Sequence, residues 1–131
     1  MILSEAQARL YSADALAFYG DSVYEVLVRR HLVLRANQPA AKLHEEKIQL
    51  VCAEFQAQGY DKLRPVLTET EAAVMKRGRN ASVHVPRHTS AAAYHKATGL
   101  ETLFGYLALT GKQVRLEELF AVMMQGEHSA V

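Results

Sequence analysis

Hydrophobic residues recur at intervals of three and four positions along most of this chain, which is the spacing of amphipathic α-helices. The first strong segment runs from about Ala13 to Arg35, and Ser12 precedes it as a typical N-cap. Gly20 lies inside this helix, where a glycine is typical of close approach by another backbone. One stripe is predicted to face a core and comprises Leu16, Tyr19, Val23, Val26, Leu27, Arg30 and Val33.

Proline and glycine separate the later helices, and Thr68 and Glu71 have the spacing of a capping box. We predict a helix from Pro39 to near Gly59 and a helical turn before Pro65. A helix from Thr68 is expected to fray at Gly78, and an ordered loop is expected at 80–88. The last two predicted helices run from Thr89 or Ser90 to Gly111 and from Val114 to Met123. No segment reads as a strand, so the fold is predicted to be all-α.

The length of 131 residues predicts one domain over 1–131, with an ordered core at about 5–125 and disorder in the last six residues. No apolar run approaches the roughly 20 residues of a membrane span, and the first residues lack the pattern of a signal peptide. A cytoplasmic location without a membrane partner is therefore expected. Cys52 is the only cysteine, which excludes an internal disulfide and a cysteine-based zinc site.

Positive charge is concentrated in one segment although the net charge is only +1. No acidic residue interrupts the stretch from Lys76 to Lys96, which also contains Arg77, Arg79 and Arg87. Such a basic patch is typical of a phosphate-binding surface, but charge alone equally fits a solvated helix end.

Acidic residues mark one face of the first long helix. Asp21 lies about 20° from Asp14 around the helix axis, and Glu25 lies about 40° from Asp21. Glu101 is the single acid in a later apolar helix. This spacing fits either a metal site or an ordinary solvated face, and the solvated face is the commoner case.

Three sequence segments favour the metal site. Residues 16–25 read LAFYGDSVYE, residues 99–107 read GLETLFGYL, and residues 75–86 read MKRGRNASVHVP. The first two resemble the signature helices of the ribonuclease III family, and the third resembles a motif of its Mini-III group. All three occur in the expected order and span essentially the whole chain.

The resemblance implies a single all-helical ribonuclease III-type endonuclease domain that works as a homodimer and cuts double-stranded RNA. Asp21 and Glu101 would be the catalytic and metal-binding residues, with Mg²⁺ as the cofactor and Mn²⁺ as a substitute. The substrate of the group is precursor ribosomal RNA (23S). We expect RNA binding by a set of basic and polar residues, namely Lys76, Arg77, Arg79, Asn80, Arg87 and His88.

This chain departs from the larger enzymes of the family at several acidic positions. Ala17 and Thr98 stand where those enzymes carry acids, and no acid lies at a further metal-site position near Ala40. Asp14 and Glu25 are therefore candidate additional ligands. The larger enzymes also carry a double-stranded-RNA-binding domain, which we do not expect in residues 1–131.

Two other functions compete with the nuclease. One is a catalytically silent, dimeric, helical RNA-binding or ribosome-associated module, and the other is a helical protein-interaction domain. Retention of both Asp21 and Glu101 favours the enzyme. Phe18, Tyr19 and Val23 around Gly20 could form a two-fold interface, although such residues more often fill a monomer core.

Overall fold

A computed structural model describes residues 1–81 and 85–127. Within them the chain forms seven α-helices and a 3-10 turn at Arg64–Val66, with no strand in the described part. The helices are α1 (Glu5–Arg9), α2 (Ala13–Arg35), α3 (Ala40–Val51), α4 (Ala53–Leu63), α5 (Glu69–Ala81), α6 (Ala91–Leu109) and α7 (Gln113–Met124). The predicted all-α fold is confirmed. No helix among the described residues is long and apolar enough to cross a membrane.

Helix α6 is the central element, and α2, α4 and α5 make the most extensive contacts with it. From Gly99 to Leu107 every residue of α6 except Glu101 is buried. A helix that is apolar on all sides is stable only when other helices surround it. The one acid in this stretch is therefore held at the edge of the core.

The predicted helix starts are confirmed by their caps. The Ser12 hydroxyl accepts a hydrogen bond from Ala15 N at 3.0 Å, and the Ser90 hydroxyl accepts one from Ala93 N at 3.1 Å. Thr68 and Glu71 form the reciprocal pair of a capping box. Local polar side chains thus define where α2, α5 and α6 begin.

Other predicted boundaries are wrong. The second predicted helix is two helices, because Cys52 has extended backbone angles and separates α3 from α4. Gly59 and Gly78 lie within helices instead of ending them, because their missing side chains make room for Met123 and Thr102. The short helix α1 is an addition to the predicted elements, and Ser4 caps it.

The segments predicted to form a loop at 80–88 and a disordered terminus at 126–131 are described only in part. Asn80 and Ala81 belong to α5, and residues 85–89 form a turn before α6. Residues 82–84 and 128–131 lie outside the described residues, so the loop at 82–84 and the disorder at 128–131 remain predictions.

The core-facing stripe of α2 differs from the predicted one. Leu16 and Leu27 are buried as expected, but Tyr19, Val26 and Val33 are exposed. The buried face of α2 is the neighbouring one, because α6 and α3 pack against it. Its buried residues include Gly20, Tyr24, Val28 and Leu32. An apolar strip of α2 is left uncovered in the single chain.

Candidate active site

The closest approach of two helices lies beside the predicted acidic pair. A Cβ atom added to Gly20 of α2 would overlap the carbonyl oxygen of Glu101 of α6, and one added to Gly105 would overlap the carbonyl oxygen of Leu16. Only residues without side chains permit this contact between backbones. The close approach predicted at Gly20 is therefore confirmed, and it brings Asp21 next to Glu101.

The two carboxyl groups lie close enough to hydrogen-bond when one of them is protonated. Burial, followed by the charge of Asp21, raises the pKa of Glu101 from its ordinary value of 4.5 to about 8. Asp21 is exposed, whereas Glu101 is partly buried. Two acids held together with one of them partly desolvated are typical of a functional site, since burial and repulsion both act against ionisation of Glu101.

Gln56 of α4 completes the surroundings of Glu101. Its Nε2 donates to Glu101 Oε2 at 3.3 Å and to the backbone oxygen of Val51 at 3.0 Å. The side chain is buried. The sequence predictions did not include Gln56. Its spacing of four and seven residues from the buried Tyr60 and Leu63 places a polar side chain on the buried face of α4, and this spacing could have revealed it.

The two further acids proposed as ligands do not join the pair. No group of three or more metal-ligating side chains occurs among residues 1–81 and 85–127. Asp14 is exposed in the first turn of α2, two turns before Asp21. Glu25 is bonded to Arg29 at 2.7 Å and lies 3.7 Å from Lys47, so neighbouring cations already balance its charge.

The basic end of α5 packs on α6 close to Glu101. A Cβ on Gly99 would lie 3.2 Å from Arg79 N, and Gly78 contacts Thr102. The Arg79 guanidinium lies 5.9 Å from the centre of the Tyr60 ring. The basic end of α5 is thus held against α6 through close contacts at Gly99 and Thr102, which lie on either side of Glu101 in sequence.

The predicted RNA-binding side chains differ in how available they are. Lys76, Asn80, Arg87 and His88 are exposed. Arg79 donates to the Asn80 side chain at 3.2 Å and is partly buried. Arg77 donates to the backbone oxygen of Tyr11 and so ties α5 to the connection between α1 and α2. Lys96, the last residue of the basic stretch, is paired with Asp61 at 2.9 Å.

Residues 14–112 match the family model described as the Ribonuclease III domain. The chain belongs to the ribonuclease III family. This confirms the resemblance of the three motifs, and the family consists of endoribonucleases that hydrolyse phosphodiester bonds with divalent metal ions. The acid pair accordingly lies in a domain of the ribonuclease III type.

Relatives agree with this membership over most of the chain. The chain is 44% identical over 117 residues to the Mini-ribonuclease 3 of a Synechococcus strain, covering 89% of this chain and 83% of that one. It is 39% identical over 119 residues to the Mini-ribonuclease 3 of Streptococcus pneumoniae, covering 88% and 93%. A crystal structure of a Fusobacterium nucleatum protein, 28% identical, superposes with a TM-score of 0.81 over 90% of this chain and 95% of that one.

Proposed function

We propose that this protein is a magnesium-dependent endoribonuclease that cuts double-stranded RNA. The observation that carries the proposal is the Asp21–Glu101 pair on α2 and α6, with the basic end of α5 packed against α6 at Gly99 and Thr102. Acids close to a cationic surface can hold a metal ion while the cations bind the phosphates on either side of the scissile bond. This combination distinguishes a nuclease site from a merely solvated acidic face.

The residues at the site fit a hard divalent cation. Asp21 and Glu101 would hold the ion through carboxylate oxygens, which Mg²⁺ prefers and Mn²⁺ also accepts. The raised pKa of Glu101 is consistent with a pair of acids that lacks a balancing positive charge. When bound, the ion would supply Lewis-acid polarisation of the phosphodiester and of the attacking water. With two acids instead of a larger set, we expect water to supply the remaining ligands.

RNA would be held by the catalytic domain through phosphate and 2′-hydroxyl contacts. The exposed Lys76, Asn80, Arg87 and His88 are the main candidates, with Arg79 beside them. Arg77 would contribute by anchoring α5, since its guanidinium donates to Tyr11 O. Contacts of this kind depend strongly on salt and carry little base specificity.

A homodimer through α2 is part of the proposal. Phe18 is 85% exposed, and residues that follow it on α2, including Tyr19 and Val26, line a groove of about 300 Å³ together with Ala108. A self-complementary two-fold contact would cover the apolar strip of α2 and would bring two acid pairs to one RNA duplex. Each strand of the duplex could then be cut by one subunit.

The substrate class is precursor ribosomal RNA (23S) in the cytoplasm. Support comes from the curated relatives, which are named Mini-ribonuclease 3, and from the motif at residues 75–86. The ordinary ribonuclease III signatures at 16–25 and 99–107 support cleavage of double-stranded RNA in general.

The deciding experiment is cleavage of a long double-stranded RNA by wild type, Asp21→Asn and Glu101→Gln with Mg²⁺, with Mn²⁺ and with EDTA. We expect cutting by wild type with either ion, and a loss of at least about 100-fold in each variant or with the chelator. Circular dichroism and the oligomeric state should be unchanged. RNA binding by wild type without any cutting would refute the proposal and favour the silent binding module.

A second experiment tests the RNA surface. Lys76→Gln should weaken binding to every duplex by a similar factor and lower the salt slope by about 1, as expected when a phosphate contact is lost. Arg64→Gln, an exposed arginine in the turn after α4, is the matched control and should leave binding unchanged. Equal effects of the two variants would point to net charge instead of a defined surface.

A further inference from the structure

Gln56 is a buried polar residue whose two N–H groups are both used. It is only 3% exposed, and its Nε2 donates to Val51 O at 3.0 Å and to Glu101 Oε2 at 3.3 Å. Val51 ends α3, so the first bond satisfies a backbone oxygen at a helix end. The second bond reaches the carboxylate of Glu101, which is partly buried beside Asp21.

The orientation of the Gln56 amide follows from its partners. Turning the amide by 180° would direct Oε1 at the oxygens of Val51 and Glu101, which are themselves acceptors when Glu101 is ionised. In the observed orientation Oε1 is buried and has no hydrogen-bond partner among the described residues. A buried acceptor without a partner destabilises a fold, and this cost offsets the gain from the bond to Val51 O. The amide is therefore poorly explained as a stabilising core residue.

We infer that Gln56 is a positioning residue that fixes the Glu101 carboxylate toward Asp21 and thereby strengthens binding of the divalent cation. A hydrogen bond from a buried amide that is also bonded to Val51 O restricts the rotation of Glu101, so less ordering is left to occur when the cation binds. This inference rests on the proposed metal-dependent function.

The test is Mn²⁺ binding to the full-length protein by titration calorimetry, with Gln56→Met as the variant. We expect its Kd for Mn²⁺ to rise about 10–100-fold, as is usual when a group that orients a metal ligand is lost. Gln58→Met makes the same change at an exposed position of the same helix and should bind Mn²⁺ like wild type. RNA cleavage at low Mn²⁺ should fall in parallel and should largely recover at saturating Mn²⁺.

Thermal unfolding in EDTA separates this role from a structural one. A purely structural role predicts a lower Tm for Gln56→Met with an unchanged Kd for Mn²⁺, and that result would overturn the inference. In the background of Glu101→Gln, Gln56→Met should have no further effect on Mn²⁺ binding, because it acts through Glu101. Equal effects in both backgrounds would also overturn it.

A second variant and the wild-type protein itself provide two further tests of the role of Gln56. If Gln56→Met does not fold, Gln56→Asn keeps the donor amide but shortens the side chain by one methylene, so Mn²⁺ should raise its Tm less than that of wild type. An equal Tm increase in the two proteins would contradict the inference. If wild type bound no Mn²⁺ at all, the proposed function would fail and the inference with it, whereas normal binding by Gln56→Met would refute the inference alone.

Discussion

Replacing Asp21 with asparagine should make the metal-free protein more stable while abolishing its activity. Burial of Glu101 and, after it, the carboxylate of Asp21 raise the pKa of Glu101 to about 8. A carboxyl group with a raised pKa in the folded state destabilises the fold increasingly as the pH rises from about 4.5 to about 8. Asp21→Asn removes the part of this effect that comes from charge repulsion and leaves the part that comes from burial.

The expected size of the effect follows from the geometry. Two unit charges about 4 Å apart repel by about 1 kcal/mol in water and by about 4 kcal/mol near a protein surface. Because Asp21 is exposed, we expect the gain to lie near the lower value, about 1–2 kcal/mol at pH 9. For a chain of this length that corresponds to an increase in Tm of roughly 3–8 °C. The gain should be about a fifth to two-fifths as large at pH 7 and close to zero at pH 5, where Glu101 is protonated in both proteins.

The assay is urea and thermal unfolding in EDTA at pH 5, 7 and 9. Asp14→Asn is the matched control, because Asp14 is exposed in the first turn of α2, and its loss should destabilise slightly, by about 0.5 kcal/mol. Adding Mg²⁺ should stabilise wild type more than Asp21→Asn, since binding to the native state raises stability. A loss of stability in Asp21→Asn at pH 9, or a gain of equal size at pH 5, would refute the proposed repulsion.

Three other perturbations test the packing and the assembly. Gly20→Ala should lower the free energy of unfolding by about 3 kcal/mol in urea titrations, because its methyl group would overlap the backbone of Glu101. A decrease of less than about 1 kcal/mol would contradict that contact. Arg115→Met should destabilise by about 3 kcal/mol at pH 7, because it leaves the buried Glu71 carboxylate without its bidentate partner at 2.8 Å. Since Arg115 lowers the pKa of Glu71, this loss should shrink as the pH falls below about 4.5, and a loss independent of pH would argue against the ion pair. Phe18→Glu should shift the dimer to monomer in light scattering without lowering helicity, and an unchanged mass would exclude the α2 interface.

Helix positions could largely be predicted because their signals are local. The hydroxyl caps at Ser12, Thr68 and Ser90 act within three residues of themselves, and the apolar period extends over many turns in α2 and α6. The break at Cys52 could not be predicted, since no proline or glycine marks it and the extended backbone there depends on how α3 and α4 pack. Helix α1 escaped prediction because five residues are too short for a period to show.

The burial of individual residues depended on more distant contacts. Tyr24 was not in the predicted stripe, yet its hydroxyl donates to Leu50 O at 2.6 Å and its ring contacts Phe104 and Phe120. Tyr19 belongs to that stripe and is exposed in the single chain. Both faces of α2 are apolar, so periodicity along the helix could not tell which one would meet α6.

The acid pair illustrates the division between local and tertiary information. Gly20 and the acids of the apolar helices stand out in the sequence, and the resemblance of the motifs around them selected Asp21 and Glu101. The interaction between Asp21 and Glu101, which are 80 residues apart in sequence, depends on the contact between α2 and α6 in the folded chain. The raised pKa of Glu101 and the bond from Gln56 arise from burial and from neighbours on two other helices. Electrostatic and packing energies depend on distance in space, and a linear sequence contains that distance only for residues a few positions apart.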